Sequence, residues 1–60
     1  MDNNNSDKKV LIKYKTLFHK HVGQLDDETM YYLNEGWMLH GPQYWVEGCF
    51  YQVLTKLIKQ

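Results

Sequence analysis

Three histidines, two lysines and two rings are the residues of this chain whose types and spacing suit binding chemistry. His19 and His21 flank Lys20, His40 follows later, and Lys13 and Lys15 come just before at a spacing of two. Where an extended strand persists, His19 and His21 share one face, as any i, i+2 pair does. Two imidazoles can touch a metal, but a closed structural site needs four ligands and a catalytic one three. No pattern supplies the rest, so neither a metal nor a cofactor is expected. No serine or thiol nucleophile is patterned beside a histidine, which leaves acid–base chemistry without its partner. The histidines are left with hydrogen bonding to a phosphate, or with an ordinary place at a strand end.

Lys13 and Lys15 fall on one strand face with His19 and suit a phosphate as point charges. Exposed strand lysines also solvate a sheet or guard its edge. Tyr44 and Trp45 lie beside a Gly-Pro bend and a hairpin turn, where strand ends present side chains outward. Rings there stack on bases, worth roughly 1–3 kcal/mol each, or anchor a protein interface. The expected ligand-binding set is therefore Tyr44, Trp45, His19, His21, His40, Lys13 and Lys15, with no catalytic set. Asp26, Asp27 and Glu28 sit in a helix-capping sequence, and capping accounts for them.

These residues need elements to hold them. From Val10 the pattern has period two: Val10, Ile12, Tyr14, Thr16 and Phe18 on one face, Leu11, Lys13, Lys15, Leu17 and His19 on the other. The first face is the more apolar and is expected to meet the core. Gly23-Gln24 breaks the strand. A helix of about ten residues should follow, with Asp26 as cap, Leu25 stapled to Met30, and Met30, Leu33 and Trp37 on the packed face. Gly36 is placed as a left-handed C-cap. Trp37 to His40 reads as a second strand, broken at Gly41-Pro42 because proline cannot donate to a ladder. Tyr44 to Val46 resumes it, Glu47-Gly48 turns, and Cys49 to Ile58 returns as a third strand.

The fold expected is α+β: a single β-α-β-β domain over 10–60 with a three-stranded, mainly antiparallel sheet in the order 1-3-2. One helix covers one face, and the other face is left open as an assembly surface. The polar segment 1–9 is expected to be a disordered lead-in.

Composition narrows the function further. Seven of the nine aromatic residues fall between Tyr31 and Tyr51, more ring surface than one core of a 60-residue chain can enclose. So short a chain buries only about 60% of its unfolded surface. The single cysteine, Cys49, cannot staple it internally and suits a reducing compartment, so self-association is the expected remedy. Seven lysines balance seven acids and there is no arginine. A long DNA or RNA partner is not expected from such a balance, whereas a small phosphorylated ligand needs only a few lysines, histidines or amides. Met1–Lys9 is polar with no apolar run behind it, and no segment approaches a membrane span. A cytoplasmic protein with no membrane partner is expected.

Tyr14-Lys15-Thr16-Leu17, the helix end Leu33-Asn34-Glu35-Gly36-Trp37, and Val46-Glu47-Gly48-Cys49-Phe50-Tyr51-Gln52 together resemble domain of unknown function 1737. This is a family of small bacterial and phage proteins. The resemblance covers roughly Tyr14 to Lys56, and Glu35-Gly36-Trp37, Gly41-Pro42 and Tyr51-Gln52 carry it best. It implies the fold more than the chemistry. Among compact phage proteins are sponges that hold a host's cyclic-nucleotide immune signal without cleaving it. A tiny, neutral, ring-rich chain without a catalytic set is compatible with such an anti-CBASS role. The expectation is a non-enzymatic homo-oligomer that sequesters a cyclic dinucleotide-like ligand. The alternative is a protein-interaction or structural module with no small ligand.

Overall fold

A computed structural model describes residues 10–59, so the expectation for segment 1–9 lies outside the described residues. The elements are β1 (Val10–His19), α1 (Val22–Asn34), β2 (Met38–Leu39), β3 (Tyr44–Val46) and β4 (Cys49–Lys59). β4 is the middle of an antiparallel sheet: β1 pairs along one of its edges, β2 and β3 along the other. The 1-3-2 order therefore holds, but there are four strands and not three. The Gly41-Pro42 segment does not bulge within one strand; it separates β2 from β3. Gly41 has φ +87°, which turns the backbone out of the ladder.

α1 begins four residues before Asp26 and runs for 13 residues. His21 is its N-cap in extended conformation, and its carbonyl accepts from the amides of Gln24 (3.1 Å) and Leu25 (3.2 Å). Neither the Asp26 cap nor the Leu25–Met30 staple forms. Gly23-Gln24 belongs to the helix, and no acid stands in the first turn. The early start brings Leu25, Glu28, Thr29 and Tyr32 onto the sheet-facing stripe at the i, i+4, i+7 spacing of a helix face. Leu25 and Thr29 are buried, while Met30 and Leu33 point outward, contrary to the expected stripe.

The expected inward face of β1 is also reversed. Leu17 is buried, whereas Ile12 (67% exposed), Tyr14 (64%) and Phe18 (59%) lie on the uncovered side. The reason is register. Leu17 sits opposite Gln52, Lys15 opposite Leu54 and His19 opposite Phe50, so the β4 residues that meet the helix share a side with Leu17. Leu17, Leu25 and Leu54 form the core, with Tyr32, Trp37 and Phe50 packed against it. Hydrophobicity pointed to the wrong face because register, which a one-residue slip would exchange, and not apolarity decides which side the helix covers.

The helix ends in a Schellman motif. Trp37 N–H donates to the Tyr32 carbonyl (3.0 Å) and Gly36 N–H to that of Leu33 (3.2 Å). The Tyr32 and Trp37 rings meet edge to face at 6.0 Å, the apolar contact this motif carries. Gly36 adopts φ +97° as expected, and a Cβ there would come within 3.4 Å of Lys56 Cε. Glu47 (φ 47°) and Gly48 (φ 91°) form the two-residue turn that joins β3 to β4, both left-handed as a type I′ turn requires.

Two substitutions should move stability in opposite directions. Gly36→Ala forces a Cβ into a left-handed conformation and should lower unfolding stability by about 1 kcal/mol. Thr29 Oγ1 is buried without a hydrogen-bond partner. Thr29→Val replaces that orphan by a methyl of similar shape and should raise stability by about 1 kcal/mol. Urea midpoints of the two variants check both signs.

Candidate functional site

The sheet separates the expected ligand-binding residues by face and by distance. Lys13, Lys15 and His19 lie on the helix side of β1, where their register partners are Lys56, Leu54 and Phe50. Trp45, opposite Phe50, belongs to the same side, while Tyr44, opposite Tyr51, belongs to the uncovered one. His40 joins the uncovered side, its ring 5.9 Å from Tyr14. His21 is exposed at the start of the helix, because β1 ends at His19 and the paired-histidine face is never formed. Trp45 and Lys13 lie opposite Phe50 and Lys56, six residues apart on β4, or about 20 Å along the strand. Within one chain, Trp45 and Lys13 are too far apart to hold one small ligand between them.

Several of the polar side chains near these residues have structural partners. The His19 imidazole bonds Glu28 of the helix, Nε2 to Oε1, at 2.5 Å. The pair ties the end of β1 to the second turn of α1. Asp26, expected to cap, instead accepts from Gln43 Nε2 (2.9 Å) and so tethers the loop between β2 and β3. Gln52, buried in the middle of β4, donates to the Gly41 carbonyl and to its neighbour's carbonyl at Val53, both at 3.0 Å. That explains mechanically why a buried glutamine stands here: it satisfies the backbone where the Gly-Pro break leaves it unpaired.

The tightest grouping of cations and rings lies at the far end of the helix. Lys13 and Lys56 are directly opposite each other across β1 and β4, and Lys15 follows two residues on, on the same side. Lys15 Nζ stands 4.8 Å from the centre of the Tyr32 ring and 5.6 Å from that of Trp37. Lys56 Nζ lies 5.9 Å from Trp37 and donates to the Glu35 carbonyl at 2.8 Å. Lys56 thus caps the negative end of the helix dipole, while both lysines use ring faces as cation supports. Like charges directly opposite in a sheet repel, and among the described residues no carboxylate pairs with any of the three lysines. An anion would relieve that repulsion.

Lys56, Tyr32 and Trp37 were not in the expected set. Lys56 becomes visible from sequence only once β1 and β4 are placed in register, since it then falls across from Lys13. Among the described residues no group of three or more His, Cys, Asp or Glu stands together to hold a metal. No described helix is long and apolar enough to cross a membrane.

No family model matches this chain, and no curated protein or solved structure matches it either.

The lysines should separate by role. Lys56→Met removes the bond to Glu35 and should cost about 1 kcal/mol. Lys13→Met removes one side of a repelling pair and should leave stability unchanged within about 0.5 kcal/mol, or raise it. Thermal or urea unfolding of the two variants side by side checks the contrast.

Proposed function

We propose that this protein is a non-catalytic, self-associating module that binds and holds a small phosphorylated ligand of the cyclic-nucleotide kind. The observation that carries the reading is the cluster of Lys13, Lys15 and Lys56, without a paired carboxylate among the described residues, beside the rings of Tyr32 and Trp37. A nucleotide offers what such a cluster lacks: negative charge for the ammonium groups and a flat base for ring surface. Lys13 is exposed and supports no other group among the described residues, so it is the residue of the cluster best placed to meet a phosphate. Lys15 and Lys56 are already oriented by rings and a carbonyl, and this lowers the ordering cost of binding.

Tyr44, Trp45, His21 and His40 enter this reading through the assembly. Tyr44 and His40 lie on the uncovered face that assembles, and Trp45 and His21 lie toward the other end of the sheet from Lys13, so none of the four lines the lysine cluster of one chain. In an assembly the lysine cluster repeats once per chain. A cytoplasmic role in counter-defence, as a sponge for a host's cyclic signal, is what the resemblance to the small phage family adds. The second reading, a protein-interaction module without a small ligand, is favoured by the uncovered ring-bearing face of the sheet.

Ligand recovery separates the two readings. The purified protein is mixed with a panel of cyclic mono- and dinucleotides, freed of unbound material and heat-denatured, and the released fraction is chromatographed. One nucleotide should return intact and should also raise the melting temperature by mass action. Lys13→Glu should weaken its retention roughly tenfold or more, since it reverses a phosphate-facing charge. An altered product would establish catalysis instead, and an empty chromatogram across the panel leaves the protein-interaction reading.

A further inference from the structure

The face of the sheet away from the helix carries a continuous row of rings. Phe18 stacks on Tyr51 (5.8 Å between centres, 27° between planes), and Tyr51 stacks on Tyr44 (5.2 Å, 7°). The row crosses β1, β4 and β3 in turn, with Tyr14 beside His40 two same-face positions further along β1, past Thr16. No Lys, Arg, Asp or Glu occupies this side at Val10 to Phe18 of β1, at Cys49 to Leu57 of β4, or at Met38, Tyr44 and Val46. Lys59, opposite Val10, is the next position of β4 on this side.

We infer that a second copy of this chain covers this face, the two sheets packing face to face about a two-fold axis. The inference specifies the self-association in the proposed function but stands on different residues from the ligand cluster.

The area is sufficient. Val10, Ile12, Tyr14, Phe18, Met38, Tyr44, Val46 and Leu57 on this face are 44–67% exposed, while Val53 beneath them is buried. Together they present on the order of 900 Å², against about 800 Å² per partner in a stable complex. That also exceeds the roughly 300–600 Å² of the largest apolar patch on a typical monomer.

The charge pattern selects the occupant. In a two-fold interface a patch meets its own copy, so a charge on it faces the same charge or must be offset. A patch without formal charge escapes that repulsion. The same absence argues against nucleic acid, which needs cations along its phosphates.

The need for a second layer is visible in the chain itself. Among the described residues the buried apolar ones are Leu17, Leu25, Val53 and Leu54, and of these only Leu25 and Leu54 are completely enclosed. Beyond Thr55, where β2 stops, β1 and β4 continue among the described residues as a two-stranded ribbon with Ile12 and Leu57 exposed. Such a ribbon is marginal in water unless another layer packs on it. Two sheets stacked at about 10 Å would interleave the ring rows into a second core.

Sedimentation velocity across micromolar to millimolar concentration tests this. The chain should sediment at twice its mass. Tyr14→Lys or Phe18→Lys should weaken association roughly a hundredfold or more by placing a charge in the centre of the interface, with circular dichroism confirming that the sheet remains. Met30→Lys, on the outer side of the helix, should leave the dimer intact. Isotope-filtered NOEs in a mixture of labelled and unlabelled chains give a test that needs no variant, and they should connect Tyr14, Phe18, Tyr44 and Tyr51 between chains. A monomer at every concentration overturns the inference. So does a dimer that resists both ring variants but dissociates with Met30→Lys, or a monomer whose ring row is titrated by single-stranded oligonucleotide. A dimer that returns no nucleotide counts only against the ligand reading, and a monomer that does return one counts only against this inference.

Discussion

The contact of Leu25 with Leu54 and Leu17 is the constraint on which the rest of the structure depends. Leu25 and Leu54 are the two side chains wholly removed from water. Burying a leucine stabilises by roughly 1.5–3 kcal/mol, and truncating one in a core costs about 2–5 kcal/mol. No other apolar contact in the described chain is as enclosed. To make it, the chain must turn from β1 into the helix almost at once, so His21 becomes the cap and Gly23 enters the first turn. The helix must then stop in time for the Schellman motif at Gly36 to send Trp37 back under Tyr32. β4 must run through the middle so that Leu54 lies beneath the helix with strands on both sides.

A core on one side of a sheet has consequences for the other. The helix side holds the leucines and the lysines, with the cations at its periphery resting on rings and on the helix's last carbonyl. The uncovered side holds rings and β-branched residues without formal charge over most of its length. This division sorts the two properties that a nucleotide-holding assembly needs, cations for phosphate and apolar surface for self-association, onto opposite faces. A binder in which one face assembles and the other meets the ligand does not have to choose between the two uses. The His19–Glu28, Gln43–Asp26 and Gln52–Gly41 bonds fix the loops and the helix end around the core. They account for polar residues that a search for catalysis would otherwise single out.

Much of the architecture was legible from short-range chemistry. Gly36 announced the helix end because its left-handed φ is local, and Glu47-Gly48 announced the hairpin for the same reason. Pro42 announced the break beside β3. What escaped was set by distant partners. β1's more apolar face is the one left uncovered, and only the pairing of Leu17 with Gln52 and of Lys15 with Leu54 decides which side the helix covers. Helix onset escaped because Asp26 is a good capping residue and Gly23 a poor helix former, yet burial of Leu25 outweighs both. For the site, the sequence correctly grouped Lys13, Lys15 and His19 on one strand face. It could not show Lys56 across from Lys13, nor that Tyr44 and Trp45, adjacent in sequence, point to opposite sides of the sheet.

The central claim is that one chain supplies only half of the apolar packing its surface is built for. The concentration dependence of its thermal unfolding, followed by calorimetry over a wide range of dilution, tests that most directly. If folding and association are linked, the midpoint rises steadily with protein concentration, because mass action favours the assembled native state. A midpoint that stays constant across the whole range would mean that the single chain is complete, with its ring face stable against water, and would contradict the account.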